Sequence, residues 1–392
     1  MKEETKKVVF IDSDINMGYL NKIMTSKQRI GGVWKISKDR MISSIKKPSD
    51  ALEHATLCAK VFLDHVSSDV ELFFINIWDE DEPKANINAL LLALSWCLDQ
   101  GISVINLSIG TTFISDAPKL FDITHKLITK GTIIVAATSN DDKLTFPAAF
   151  DHVISVKAIE SEVKEKGWIY YEDNIDRIDV NCYTIDETIE HKDLYCSLYC
   201  ANSLANPIIS AKICDLLSEG YDTLAKIRNK LKEMSKAKNL GCHKKKYQKY
   251  FEEEINIPII AITNENVNKE GINRLVKQLL SKFTEYNYEG ICLSEQAKTD
   301  LSEKIINIVD VALYNPAEKL RFYTHYCNVD YILIEASGSF LFENLASKDL
   351  DLVVYQSECD RKTEKSIQCV EYSEYDDFNV FFDKVYGYLS EG

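Results

Sequence analysis

Through its first half the chain alternates short runs of wholly apolar residues with longer stretches in which apolar residues recur at helical spacing. A run with no polar face must be buried on both sides, and strands of that kind need helices above and below their sheet. The pattern therefore predicts an α/β fold built on a doubly wound parallel sheet. Strands are expected at Val8–Asp12, Glu71–Trp78, Val104–Ser108, Thr132–Ala137 and Val153–Ala158, with helices over 51–65, 86–99 and 116–129 between them. From Pro207 to about Ala237 the sequence reads as helix throughout.

The alternation then restarts. Strand Ile257–Thr263, helix Glu270–Phe283, strand Gly290–Ser294, helix Thr299–Tyr314 and strands Tyr331–Glu335 and Leu352–Tyr355 make a second, smaller α/β domain. At 392 residues two domains are the natural expectation. The charged stretch ending at Lys246 separates them, giving a first domain over 1–238, a linker over 239–256 and the second domain over 257–392. The halves share a rhythm but no motif, so no internal repeat is expected.

A net charge of −15 argues against nucleic acid as a partner, because phosphate binding needs Lys and Arg concentrated on one face. The apolar segment Val8–Ile11 is far too short for a signal-peptide core or a membrane span, so no membrane association is expected and the location reads as cytoplasmic. Eleven cysteines, scattered in apolar segments as at Cys58, Cys97 and Cys214, fit reduced thiols in the cytosol.

Hydrolysis of an amide by a serine needs a hydroxyl nucleophile, an imidazole to take and return its proton, a carboxylate to hold that imidazole, and donors for the oxyanion. Asp12 closes the first strand in Val-Val-Phe-Ile-Asp-Ser-Asp, at the carboxyl end where open parallel sheets place their sites. His54, in His-Ala-Thr-Leu-Cys-Ala, follows a polar break at a helix start. Ser203, in Ala-Asn-Ser-Leu-Ala-Asn-Pro, comes just before a long apolar helix with Pro207 near its start, a position proline tolerates. A helix N-terminus offers a backbone N–H and a favourable dipole to a developing oxyanion. Singly these residues would read as turn, cap and helix-start residues; together they point to chemistry.

At these residues the chain resembles the subtilisin-like serine peptidases, whose motifs run Asp-Ser/Thr-Gly, His-Gly-Thr-His-Val-Ala and Gly-Thr-Ser-Met-Ala-x-Pro in the order Asp, His, Ser. The resemblance covers about residues 6–215 and implies a triad of Asp12, His54 and Ser203. Ile-Asn-Leu-Ser-Ile-Gly, ending at Gly110, is similar to the family's substrate-pairing strand and makes Ser108, Ile109 and Gly110 substrate-binding residues. Thr-Ile-Ile-Val-Ala-Ala-Thr-Ser-Asn is similar to the segment ending in the oxyanion-hole asparagine, which makes Asn140 the side-chain donor. Phe146-Pro147-Ala148-Ala149 and the strand after it extend the match. The chain departs from the pattern at Asp14, Ala55, Leu57, Ser139 and Ala201-Asn202, none of which removes a reacting group.

The resemblance implies a serine endopeptidase that acts on a peptide or precursor protein without metal or cofactor. Because the first strand begins by Val8, no prosegment is expected, and selectivity would fall to the second domain. Leader removal in the maturation of a ribosomally made natural product, beside other maturation-system proteins, is the specific expectation. The alternative is a catalytically silent peptide-binding scaffold of such a complex. The acidic loop Asp79–Glu82 reads as a solvated turn. Cys182, His191, Cys196 and Cys200 match no common zinc spacing. In the second domain, Ile257–Thr263 followed by Asn264–Glu270 has the strand, loop and helix layout of a P-loop with Lys269 at the phosphate-binding position. It lacks the glycines and has a carboxylate at Glu270, so it resembles a degenerate P-loop-type domain used for docking.

Overall fold

Val8, Val9, Phe10 and Ile11 are all buried, so strand β1 (Lys6–Asp12) has no solvent face and must lie inside a sheet. The computed structural model describes residues 5–36, 42–44, 52–78, 86–158, 167–170, 175–182, 201–235, 247–263, 269–355, 367–373 and 377–390. Two units emerge from the packing: Met1–Thr111 with Lys119–Leu240, and Thr112–Pro118 with Gly241–Gly392.

In the first unit β1 is followed by α1 (Met17–Ile23), β2 (Gln28–Ile36), β3 (Ile42–Ser44), α2 (His54–His65), β4 (Val70–Asn76), α3 (Ile87–Gln100) and β5 (Val104–Leu107). Then come α4 (Ala117–Thr129), β6 (Ile133–Ala137), β7 (Ile154–Ala158), β8 (Trp168–Tyr170), β9 (Val180–Cys182), α5 (Asn202–Ser218) and α6 (Leu224–Glu233). The sheet order is β3-β2-β4-β1-β5-β6-β7-β9-β8. Pairing is parallel except at the two edges, β2 with β3 and β8 with β9. Val8, Phe10, Leu72 and Phe74 face α2 and α5 in one core. Strand alternation turns Phe73 the other way, where it meets Trp34 and, from α3, Trp96. Helices thus cover both faces, as the apolar runs predict.

The second unit contains α7 (Gln248–Glu252), β10 (Ile259–Thr263), α8 (Lys269–Glu285), β11 (Gly290–Ser294), β12 (Ile305–Asn307) and α9 (Pro316–Tyr326). It continues with β13 (Tyr331–Ala336), α10 (Gly338–Asn344), β14 (Leu352–Tyr355), β15 (Gln368–Glu371) and α11 (Phe378–Ser390). Its sheet is parallel, in the order β12-β11-β13-β10-β14-β15. Leu275, Leu279 and Phe283 of α8 and Phe382 of α11 pack on one face.

Several expectations change. The helix read over Thr299–Tyr314 is absent. That stretch holds a short turn closed by Lys304 at positive φ, then β12, then a loop in which Val311 takes positive φ and the Asn307 side chain accepts from Val309 N and Asp310 N. The helix begins instead at Pro316, set by a capping box between Asn315 and Glu318. The single helix read from Pro207 is two: α5 starts earlier, at Asn202, and ends before Gly220, whose φ of +94° turns the chain away. Thr223 then caps α6. Strand β2 has no legible strand pattern in the sequence, because Gly31 and Gly32 and a register shift between Ile30 and Gly32 break its alternation. The acidic loop 79–82, His191, Cys196, Cys200, the lysines 244–246 and the loop 264–268 lie outside the described residues.

Phe10 anchors the first core: it stacks on Phe74 at 5.3 Å and meets Phe62 edge-on at 5.4 Å. Phe10→Ala is expected to destabilise this unit by about 3–5 kcal/mol, read as a shift in the denaturant midpoint.

Candidate active site

The register of β1 between β4 and β5 puts Asp12 at the carboxyl edge of the sheet, paired with Asn76. Its side chain is only 2% exposed, so its charge needs partners. Asp12 Oδ1 accepts from Ser13 N at 2.6 Å, and the two carboxylate oxygens lie 3.0 and 2.8 Å from His54 Nδ1. His54 is the first residue of α2. Two contacts hold that helix start against the strand end: Ala55 N donates to Ser13 Oγ at 3.0 Å, and Asn16 N donates to Thr56 Oγ1 at 2.8 Å. Ser13 thus satisfies one of the free N–H groups of a helix start while its neighbour Asp12 orients the ring.

With Nδ1 donating to the carboxylate, Nε2 is left as an acceptor, and Ser203 Oγ lies 2.9 Å from it. Ser203 is the second residue of α5, so its N–H has no carbonyl one turn back within the helix. Pro207, four residues later, has no N–H to give the Ser203 carbonyl. That carbonyl instead faces the Cys58 thiol at 3.4 Å and the Ser108 hydroxyl at 3.5 Å. Asn140 is exposed in the turn after β6, and its Oδ1 accepts from Asn202 N at 3.1 Å, which leaves Nδ2 as the amide's donor end.

Ser108, Ile109 and Gly110 leave the sheet after β5, and Thr111 pairs antiparallel with Phe146. A Cβ on Gly110 would lie 2.7 Å from the Phe146 carbonyl oxygen, so glycine is required there. The geometry therefore brings Asp12, His54 and Ser203 into one hydrogen-bonded chain, with Asn140 tied to the residue before Ser203.

Sequence reasoning missed the residues beneath the site. Cys58, read only as a packing residue, sits with its sulfur 3.8 and 3.9 Å from the two ring nitrogens of His54. The four-residue spacing along α2 was the available signal. Asn206 is fully buried and donates to Asn106 Oδ1, Leu107 O and Val135 O, while Ser210 Oγ donates to Asn106 Oδ1 at 2.9 Å. Asn106 in turn donates to Ser108 Oγ at 3.2 Å. Asp12, His54 and Cys58 also present ligand atoms within 4.8 Å of one another, a group that could hold a metal ion. The two ring nitrogens of His54 are already matched to Asp12 and Ser203, while the Cys58 thiol also faces the Ser203 carbonyl.

Burial by itself lowers the His54 pKa; Cys58 and the Asp12 carboxylate outweigh it, and the net direction is upward from 6.5. The protonated ring therefore stabilises the fold fully below 6.5, and that contribution is lost as pH rises through the raised folded value. NMR titration of His54 is expected to give a midpoint above 6.5. In Asp12→Asn the midpoint falls, because burial then acts on a ring that has lost the carboxylate's charge.

The family model described as the subtilase family matches residues 41–327. Over 186 residues the chain is 27% identical to subtilisin DY of Bacillus licheniformis, covering 45% of this chain and 64% of that protein. Over 99 residues it is 27% identical to the minor extracellular protease Epr of Bacillus subtilis (strain 168), covering 24% of this chain and 15% of that protein. The chain thus spans less than two thirds of the length of these curated relatives. Among solved structures it is similar to the nisin leader peptidase NisP from Lactococcus lactis, with a TM-score of 0.40, 15% identity, and coverage of 58% of this chain and 81% of that one. By the family match, over most of its length, the chain belongs to the subtilase family.

Proposed function

We propose that the chain is a serine endopeptidase with Asp12, His54 and Ser203 as its triad. The observation that carries this reading is the unbroken path from carboxylate to imidazole to hydroxyl, at 2.8 and 2.9 Å. Ser203 Oγ attacks the scissile carbonyl as its proton passes to His54 Nε2, while Asp12 holds Nδ1–H and stabilises the imidazolium. The oxyanion forms against Asn140 Nδ2 and the Ser203 N–H, at the positive end of α5. His54 returns the proton to the leaving amine, and water then cleaves the acyl-enzyme with the same ring as base. Ser108, Ile109 and Gly110 offer extended backbone for a substrate to pair with.

The finer reading is selective cleavage of one peptide or precursor protein, leader removal among the cases, with the second α/β unit as a recognition or docking element. The degenerate P-loop reading of that unit rests on sequence around Lys269. A cytoplasmic location belongs to this reading and rests on the cysteines scattered through apolar segments of the sequence; Cys97, Cys182, Cys214 and Cys292 are buried, and burial pushes their thiols upward, away from the reactive thiolate. Among the described residues no helix is long and apolar enough to cross a membrane.

Diisopropyl fluorophosphate is expected to label the native protein once, and Ser203→Ala to abolish labelling and peptide hydrolysis together. A native protein that stays unlabelled would reject the peptidase reading in favour of a silent peptide-binding scaffold, and a variant that is still labelled would reject Ser203 as the nucleophile. Gly110→Ala must push against the Phe146 carbonyl and is expected to raise KM more than it lowers kcat, with a stability cost of about 1–3 kcal/mol.

A further inference from the structure

We propose that Asn202 is the positioning residue of the oxyanion hole, acting through Asn140; the inference rests on the peptidase reading above. Asn202 is 3% exposed, and every polar atom of its amide is engaged. Its Nδ2 donates to Thr138 O at 3.0 Å, to Thr138 Oγ1 at 3.1 Å and to Ser139 O at 2.8 Å. Its Oδ1 accepts from Ala158 N at 2.8 Å. One side chain therefore ties the turn leading to Asn140 and the end of β7 to the first residue of the nucleophile's helix.

The backbone of the same residue completes the device. Asn202 N donates to Asn140 Oδ1, which fixes which end of the Asn140 amide accepts and so which end remains to donate. Asn140 is exposed and gains no such definition from packing. An oxyanion donor is effective only if its position is set before charge develops. Asn202 joins the donor's turn to the helix that carries Ser203, so donor and nucleophile move as one piece.

The side-chain ties to Thr138, Ser139 and Ala158 belong to this chain's asparagine, whereas the N–H that meets Asn140 Oδ1 would be offered by any residue at this position but proline. The family motif has threonine before the nucleophile. A threonine hydroxyl has a single donor and cannot bond the carbonyls of residues 138 and 139 at once while also accepting from Ala158 N. Asparagine has two donors and an acceptor on a planar group, which matches the three surrounding segments. A purely structural asparagine would hold them equally well, so the two roles separate only in kinetics.

The test compares wild type, Asn202→Ala, Asn140→Ala and the double variant in hydrolysis of p-nitrophenyl esters of N-acyl amino acids, with folding followed by circular dichroism. Asn202→Ala is expected to lower kcat by about 10- to 100-fold with KM within about twofold. In the Asn140→Ala background it should lower kcat little further, because its effect passes through Asn140. Asn202→Thr, a smaller disturbance if the alanine variant fails to fold, should show a milder loss of kcat and the same non-additivity. Fully multiplicative losses, a rise in KM at unchanged kcat, or full kcat in the threonine variant would overturn the proposal while leaving the peptidase reading intact. A wild type without esterase activity or fluorophosphate labelling would remove both.

Discussion

A carboxylate buried at the end of the central strand is the constraint on which the rest of the first unit depends. Asp12 sits where β1 runs out between β4 and β5, and its side chain is almost wholly removed from water. Left alone, such a charge would cost several kcal/mol, so the surrounding chain must supply donors. Ser13 N and His54 Nδ1 do so. The requirement explains why the start of α2 is held against the strand end through the Ser13 hydroxyl, and why the imidazole has one free nitrogen turned to Ser203.

Beneath that chain the polar groups form a connected layer. Pro207 leaves the Ser203 carbonyl without its helical partner, and the Cys58 thiol and Ser108 hydroxyl stand opposite it. Ser108 is bonded by Asn106, which accepts from Ser210 and from Asn206. The same helix thus presents its second residue for reaction and uses residues one and two turns later to grip β5. Ser108 is in this way both a member of the layer and the first residue of the proposed substrate strand. The charge balance at His54 follows from the same enclosure, because burial opposes the charged ring while Asp12 and Cys58 favour it.

The second unit is likewise built on a sheet of buried parallel strands. Its parallel sheet ends in buried Thr263, Ser294 and Glu335, and Glu335 is bonded by the Ser294 hydroxyl, which is itself approached by Gln296 N and Ala297 N. Ser294 and Glu335 are thus matched to each other, while the Thr263 hydroxyl donates to Val354 O. Lys319 is similarly committed, donating to the carbonyls of Ile308 and Asp310, and burial lowers its pKa.

The sequence by itself determined the strands and helices that follow a local period, the doubly wound class, and the candidate residues Asp12, His54, Asn140 and Ser203. Those features are legible because alternation, helical spacing and short motifs are properties of neighbouring residues. Helix boundaries were less so: the Asn315 capping box and the turn at Gly220 decided them against weak apolar patterns. Only the tertiary structure decided what touches what. It set Ser203 against His54 across 149 residues of chain, placed Cys58 beneath the ring, and used Asn202 to join Thr138, Ser139 and Ala158. Such contacts depend on strand order and register, which no single segment encodes, because a hydrogen bond is fixed by where two backbones meet and not by either alone.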